Sequence, residues 1–293
     1  MNTTNLHETR HLWGVVLAGS LESLERRPTS RPGGLAPAAV SCPALFRQTL
    51  ERATHLIPSE RIVAVLARGH SAYYDTGLGS LTDIQRIVQP AYRGSAAETF
   101  LAVLKIAAAD AEATVAIFPG GQLMDGEARF MSCVAKAVGA VRMRPELPIV
   151  IGVPPLGPDP TCAWIDPGLP IEGLEPYAVR AVRRFMPRPS PAEAAALWEG
   201  DGLVNTRVIV AKARALIALG ARHLPDVLET FEPLGAAFGT PEEGLLCEAV
   251  YEQMPYASIT HALFVRACEV GVLPVSHVRI RLDAAPPAQA LAS

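Results

Sequence analysis

The alternation of short apolar runs with longer amphipathic segments limits most strongly how this chain can fold. Four runs rich in Val, Ile and Leu have the length of buried strands. They are Trp13–Ala18, Arg61–Ala67, Thr114–Phe118 and Pro148–Val153. Between them, Leu45–Leu56 and Ala96–Asp110 have apolar residues at helical spacing. Strands that are apolar on both faces and alternate with helices indicate a parallel sheet covered on both sides.

The second half of the chain continues this pattern with more variety. The segments Pro191–Trp198, Ala211–Leu219 and Leu224–Phe231 predict helices, and Leu203–Val210 predicts a strand. Val272–Leu282 alternates Val and Ile with polar residues, which predicts one half-exposed strand. We therefore expect a single α/β domain over residues 1–283, with a mixed, mostly parallel central sheet and helices on both faces. An Ala/Pro-rich, disordered tail is expected over residues 284–293.

Composition excludes several classes of protein. The 26 basic and 29 acidic residues give a net charge of −3, spread along the chain, so no basic face for nucleic acid or anionic membranes is expected. No run approaches the roughly 18 apolar residues of a membrane span. The first ten residues are polar and lack the apolar core of a signal peptide. We expect a soluble, cytoplasmic protein.

The side chains that commonly bind metals do not form a recognisable site in the sequence. The five cysteines are scattered and never spaced as in a zinc site, which favours reduced thiols. His261 and His277 have no acidic neighbour in sequence, so structural roles are favoured for both. Metal binding is therefore not predicted from these residues.

The loop after the first predicted strand is the first candidate site. In α/β sheets, ligands bind where the strands end at their carboxyl side. The strand that begins at Trp13 ends in Ala18 and Gly19, and backbone N–H groups at such a position can hold a phosphate. A simple tight turn is the alternative interpretation.

Seven segments, taken in order, resemble the motifs of one enzyme family. They are Trp13–Gly19, Phe46–Arg52, Gln89–Thr99, Ile117–Asp125, Gly152–Gly168, Gly202–Val208 and Tyr256–Ala262. Their order and spacing resemble the sugar-1-phosphate nucleotidyltransferases, and most closely the mannose-1-phosphate guanylyltransferases. The resemblance implies a Rossmann-like nucleotidyltransferase fold. It also implies a reaction of GTP with mannose-1-phosphate that forms GDP-mannose.

The resemblance assigns nucleotide contacts to two loops. Ala18 and Gly19 would lie in the nucleotide loop, and Arg93, Gly94 and Ser95 in the segment that contacts the base. A solvated loop arginine is the alternative for Arg93.

Three further residues are assigned to the sugar phosphate. Gly152 and Asn205 stand where family members bind the sugar, and Arg188 stands in the position of a Glu-Lys-Pro motif. The alternatives are a turn or sheet-end residue for Asn205 and a surface arginine for Arg188.

The metal-binding positions of the family are the main departure. Family members bind Mg²⁺ with two aspartates, and the equivalent positions here are Gly121 and Arg281. Glycine offers no ligand side chain and arginine repels a cation, whereas hard cations need oxygen ligands. A shifted alignment would bring in Asp125 and Asp283 instead. No cofactor is therefore expected, and Mg²⁺ is expected only if the protein is an active enzyme.

The cationic groups of the nucleotide loop are also reduced. Ser20, Glu22 and Leu24 replace two glycines and an arginine of the family pattern, and Gly33 replaces a lysine. Catalysis of this reaction depends on metal and cationic groups that stabilise phosphate charge. We expect the Arg281 guanidinium to point into the cleft, where Glu22 on the facing loop would compete with a phosphate for it.

Two functions remain after these departures. The first is a catalytically degenerate protein that binds a nucleotide or sugar nucleotide and acts as a regulatory subunit, with an active homologue or a second copy as partner. The second is an active sugar-1-phosphate nucleotidyltransferase with rearranged metal ligands. Neither interpretation predicts nucleic acid or a membrane as a partner.

Overall fold

The computed structural model describes residues 10–18, 38–68, 78, 81–121, 123–260, 269–275 and 279–281. Its strands in chain order are β1 (Leu12–Leu17), β2 (Ile62–Ala67), β3 (Gln85–Gln89), β4 (Thr114–Pro119), β5 (Leu123–Asp125), β6 (Ile149–Val153), β7 (Trp164–Pro170), β8 (Arg180–Met186), β9 (Leu203–Lys212), β10 (Gly271–Pro274) and β11 (Arg279–Arg281). Its helices are α1 (Ala38–Thr54), α2 (Ser95–Ala109), α3 (Glu127–Met143), α4 (Pro191–Glu199), α5 (Ala213–His223), α6 (Pro225–Phe231) and α7 (Glu243–Gln253).

The first half of the chain forms the parallel part of the central sheet. Its strands lie in the order β3-β2-β1-β4, and every neighbouring pair is parallel. All six residues of both β2 and β4 are buried, as expected for strands covered on both faces. The predicted α/β core is confirmed here. Because these four strands are parallel, their carboxyl ends lie side by side at one edge of the sheet.

The second half of the sheet closes into a small barrel, which corrects the prediction of a mostly parallel sheet. The order continues as β9-β6-β10-β8-β7, and β7 pairs back onto β9. Of the nine strand pairs among the described residues of this sheet, five are antiparallel. The short connection from β7 to β8 explains part of this, because parallel neighbours need a long crossover.

The predicted single strand over Val272–Leu282 is two strands in the structure. Strand β10 joins the barrel beside β6, whereas β11 pairs with β5 in a separate two-stranded sheet. The alternation of Val and Ile with polar residues continues across both strands, so the pattern alone does not locate the break.

Two apolar cores lie on opposite faces of the sheet, as the prediction of helices on both faces requires. Phe46 of α1 and Val134 of α3 pack in one core, and Phe100 of α2 and Leu216 of α5 pack in the other. None of the helices in the described part of the chain combines the length and hydropathy needed to cross a membrane.

Asp110 ties the first strand to the connection between α2 and β4, at the amino-terminal edge of the sheet. It accepts hydrogen bonds from Trp13 Nε1 at 2.9 Å and from His11 Nδ1 at 2.8 Å. Burial opposes ionisation, but the hydrogen bonds from Trp13 and His11 outweigh it and hold the pKa of Asp110 below its ordinary value. A lowered pKa in the folded state stabilises the protein above the unfolded-state pKa, near 3.9, and this contribution is lost as the pH falls.

We expect Asp110→Asn to lower the free energy of unfolding at pH 7 by about 1–2 kcal/mol, because two hydrogen bonds lose their charged acceptor. Urea denaturation at pH 7 and at pH 3 measures the effect, which should be smaller at the acidic pH. Glu146→Gln is the control, since the Glu146 carboxylate is 64% exposed beside Arg144. Equal destabilisation by the two variants would contradict this role of Asp110.

Candidate functional site

The carboxyl ends of β2, β1 and β4 meet closely at the edge where a nucleotide is expected. The Ala18 amide donates to Val65 O at 2.9 Å, and the Gly120 amide donates to Leu17 O at 2.8 Å. A Cβ on Gly120 would lie 2.7 Å from the Phe46 ring, so glycine permits this approach. Because both amides are used within the sheet, a phosphate here must be bound by other groups. Gly19 lies outside the described residues.

The predicted base-contacting residues lie together: Arg93 and Gly94 end the loop after β3, and Ser95 begins α2. They contact another part of the chain. Arg93 Nε donates to Tyr251 O at 3.1 Å. The Ile259 amide donates to Ser95 Oγ at 3.1 Å. The loop is therefore fixed by α7 and the segment that follows it, and contact with a ligand stays a prediction for all three residues.

Arg68 is a cation at this edge that the sequence patterns do not single out. It directly follows β2, and the pairing of Ala67 with Gln89 places it beside the end of β3. It forms an ion pair with Glu248 of α7, with side chains 59% and 44% exposed. Its position immediately after a buried strand is the signal that could have identified it.

Helix α7 contacts three basic side chains in this region. Besides Arg68 and Arg93, it binds Lys105 through the Glu243 carboxylate. Burial is the largest influence on the Glu243 carboxyl, yet the hydrogen bond from Lys105 keeps its pKa below the ordinary value. The helix thus holds three positive groups, of which Arg68 and Arg93 follow the ends of β2 and β3 and Lys105 lies farther along α2.

A buried cluster of polar side chains packs beside the loop that carries Arg93. Tyr251 donates its hydroxyl hydrogen to Gln89 Oε1 at 3.2 Å, and Gln89 Nε2 donates to Glu98 Oε2 at 3.4 Å. All three residues are at most 1% exposed. Burial, followed by the nearby Cys247 and Glu98, raises the pKa of Tyr251, which therefore stays a neutral donor. The cluster joins β3, α2 and α7 into a rigid base.

The two positions at which the resemblance expects metal-binding aspartates lie close together in the backbone. Strand β5 begins two residues after Gly121, and it pairs antiparallel with β11 so that Leu123 faces Arg281. Asp125 is paired with Arg279. Asp283 and Glu22 lie outside the described residues, and the direction of the Arg281 guanidinium stays a prediction.

The two residue types that the resemblance places at the metal positions do not suit a magnesium ion. Gly121 has no ligand side chain and Arg281 carries a positive charge, whereas Mg²⁺ needs oxygen ligands. Among the residues described, no group of three or more His, Cys, Asp or Glu side chains is placed to hold a metal.

Gly152 and Asn205, the predicted sugar contacts, are direct partners across β6 and β9. A Cβ on Gly152 would lie 2.9 Å from the Leu203 side chain, so this face of the pair is packed in the barrel. Asn205 is 1% exposed, and its Oδ1 accepts from the Arg207 amide at 3.0 Å. Its Nδ2 has no hydrogen-bond partner. The two residues thus lie side by side within the barrel, and contact of either with a sugar stays a prediction.

Arg188, the third predicted sugar-phosphate contact, is exposed in the short loop between β8 and α4. The following Ser190 and Glu193 form a capping box that starts α4. Contact of Arg188 with a phosphate stays a prediction.

Comparison with known proteins identifies the architecture. No protein family model and no curated protein sequence matches the chain. Two solved structures share its fold over 92% of its length. One is the mannose-1-phosphate geranyltransferase from Thermus thermophilus, with a TM-score of 0.73, 22% identity and 76% of its own chain covered. The other is the mannose-6-phosphate isomerase from Helicobacter pylori, with a TM-score of 0.69, 15% identity and 99% covered.

This chain has their fold. The resemblance to sugar-1-phosphate nucleotidyltransferases is thereby confirmed for the architecture. At 22% and 15% identity the likeness establishes no activity, which depends on the residues of the site.

Proposed function

We propose that this protein binds a sugar nucleotide at the carboxyl ends of β1 to β4 without catalysing metal-dependent nucleotidyl transfer. The pairing of β5 with β11 carries the proposal. It brings Gly121 near Arg281 in the backbone, and the resemblance expects two metal-binding aspartates at these two positions. A site that combines a missing ligand with a positive charge does not hold Mg²⁺, so the phosphate charge of a transition state is not stabilised by metal.

The proposal includes binding of a phosphate group because two arginines lie at this edge of the sheet. Arg68 and Arg93 follow neighbouring strands, and α7 holds both of them in place. The Arg68–Glu248 pair is exposed and therefore weak, about 0–1 kcal/mol, so a phosphate can replace the carboxylate. Both fold neighbours are named for mannose phosphates, which supports a mannose derivative such as GDP-mannose as the ligand.

The biological role proposed for such a protein is regulatory. A protein that binds the product of an active homologue without making it can report the product concentration to that enzyme. An active homologue, or a second copy of this chain, is therefore the proposed partner.

Calorimetric titration with GDP-mannose, GTP and mannose-1-phosphate, with and without Mg²⁺, tests the proposed binding. We expect GDP-mannose to bind with the same Kd in both conditions. Triphosphate binding that appears only with Mg²⁺ would instead support the active enzyme.

Arg68→Gln locates the binding site. We expect it to weaken GDP-mannose binding by about 3–10-fold, because a charge-assisted contact to phosphate is lost. Arg214→Gln is the matched control, since Arg214 is the second residue of α5, at the amino-terminal end of β4, and is 60% exposed. Unchanged binding in Arg68→Gln would place the ligand elsewhere.

A further inference from the structure

A second cleft opens at the mouth of the small barrel, apart from the edge formed by β1 to β4. Its volume is about 410 Å³, within the range of about 300–1,000 Å³ typical of small-molecule sites. It lies between the ends of β6 and β10 and the beginnings of β8 and β9. Its lining residues are Pro154, Pro155, Arg180, Trp198, Gly200, Asp201, Gly202, Leu203 and Pro274.

This cleft is distinct from the predicted sugar-phosphate contacts. Gly152, Asn205 and Arg188 are absent from its lining. Arg188 follows the end of β8, whereas Arg180, which lines the cleft, begins that strand. Asn205 is buried within the barrel. A ligand in this cleft would therefore touch a different set of side chains.

The apolar part of the cleft is an aromatic surface with proline walls. Trp198, near the end of α4, is 49% exposed although tryptophan is usually well buried. An exposed indole presents a flat apolar face and a polar N–H, which suits a ligand with both kinds of surface. Pro154, Pro155 and Pro274 add rigid apolar walls on the opposite strands.

The polar part of the cleft combines one donor group with one acceptor group. Arg180 Nε is fixed by the Gly168 carbonyl at 2.8 Å, and its Nη1 lies 3.4 Å from Asp201 Oδ2. That contact is long for a charged pair, and the Asp201 side chain is 78% exposed. Both groups can thus accommodate a ligand, the guanidinium by donating and the carboxylate by accepting. Because their charges balance, a neutral ligand with several hydroxyl groups is favoured over an anion.

The turn that carries Asp201 is held rigidly against α4. The Gly202 amide donates to Leu197 O at 2.9 Å, and a Cβ on Gly202 would lie 2.4 Å from that same oxygen. Glycine is therefore required for this approach. The turn fixes the backbone of Asp201 three residues after Trp198, so that both residues line the cleft.

We propose that this cleft binds a neutral sugar ring, with the apolar face of the ring against Trp198 and its hydroxyl groups bonded to Asp201 and Arg180. The site goes beyond the nucleotide-binding proposal and does not require it. A protein with both sites would bind a sugar nucleotide at one edge and a free or glycan-linked sugar at the barrel mouth.

Intrinsic fluorescence of the full chain gives a direct readout. The sequence contains three tryptophans. Trp164 is fully buried, and Trp13 donates its N–H to Asp110 at the far edge of the sheet. Titration with D-mannose, D-glucose, maltose and cellobiose should change the Trp198 emission saturably and reduce its quenching by acrylamide. We expect Kd values of about 1–10 mM.

Variants separate the proposed contacts from general surface effects. We expect Asp201→Ala to weaken the binding of the sugar with the largest response by about tenfold, because the acceptor is lost while Trp198 remains as the probe. Glu199→Gln, an exposed neighbour outside the lining, should bind as the wild type does. An unchanged affinity in Asp201→Ala, or no saturable response to any of the four sugars, would overturn the proposal.

Competition distinguishes this site from the nucleotide-binding edge. With saturating GDP-mannose present, the fluorescence response to the sugar should keep its midpoint. Loss of the response would show a single shared site and overturn the second one. If GDP-mannose does not bind at all, the nucleotide proposal fails, while the sugar titration still decides the proposal for the barrel mouth.

Discussion

Gly94→Ala should destabilise the protein by about 3 kcal/mol or more, since two independent constraints meet at this residue. Its φ of +86° lies in the left-handed region that favours glycine. A Cβ there would lie 2.3 Å from Ala257 O, a backbone atom that cannot move aside alone. To relieve the overlap, the loop must separate from residue 257, with loss of the bonds from the Ala96 amide to Ala257 O and from the Ala257 amide to Arg93 O.

Chemical denaturation measures the loss of stability, and Gly173→Ala is the matched control. Gly173 has a similar φ of +81°, but nothing lies within 4 Å of its added Cβ. The control should therefore cost only the backbone penalty of about 1–2 kcal/mol. Hydrogen exchange should show faster exchange of the Ala96 and Ala257 amides in Gly94→Ala. Equal destabilisation by the two variants, with protected amides, would contradict the close approach.

Glu127→Gln should cost about 3 kcal/mol, the low end of the range for breaking a buried ion pair. The Arg52 side chain is 1% exposed, and both its Nε and its Nη2 donate to Glu127 Oε1, at 3.1 and 2.9 Å. Glutamine keeps the shape but removes the charge opposite a buried guanidinium. The low end applies because the Glu127 side chain is 28% exposed.

This pair joins α1 to the start of α3, so its loss should loosen the packing of both helices on the sheet. Glu51→Gln is the control, because Glu51 forms an exposed pair with Arg47 on α1. Such pairs contribute about 0.3–0.5 kcal/mol. Thermal and urea denaturation of both variants give the comparison. A cost for Glu127→Gln as small as that for Glu51→Gln would show that the buried pair contributes little.

The strands that the sequence identifies most directly are those buried on both faces, because each appears as a continuous apolar run. The strands β1, β2, β4 and β6 lie in sheet covered on both sides, so their apolar runs identify them directly. Strand β8 carries three arginines and alternates irregularly between buried and exposed residues. Its residues therefore do not show the pattern of a buried strand, and the barrel that it completes is not predicted. Closure of the barrel depends on pairing between distant segments, which local periodicity does not record.

In the candidate site, too, some features could be predicted from the sequence and others could not. The nearness of the Gly121 and Arg281 positions follows from the family resemblance, and the pairing of β5 with β11 agrees with it. The contacts of Arg68 with Glu248 and of Arg93 with Tyr251 join residues more than 150 positions apart. Only the folded chain brings α7 onto these strand ends. The role of α7 in holding the cations is therefore a finding of the structure.

Pyrophosphate release from GTP and mannose-1-phosphate in the presence of Mg²⁺ tests the central claim most directly. We expect no release above the rate without protein, because Gly121 and Arg281 stand where the resemblance places the metal-binding aspartates. A urea denaturation curve of the same sample should accompany the assay, so that folded protein is assured. Turnover at rates typical of enzymes, about 1–10³ per second, would contradict the claim and establish an active nucleotidyltransferase.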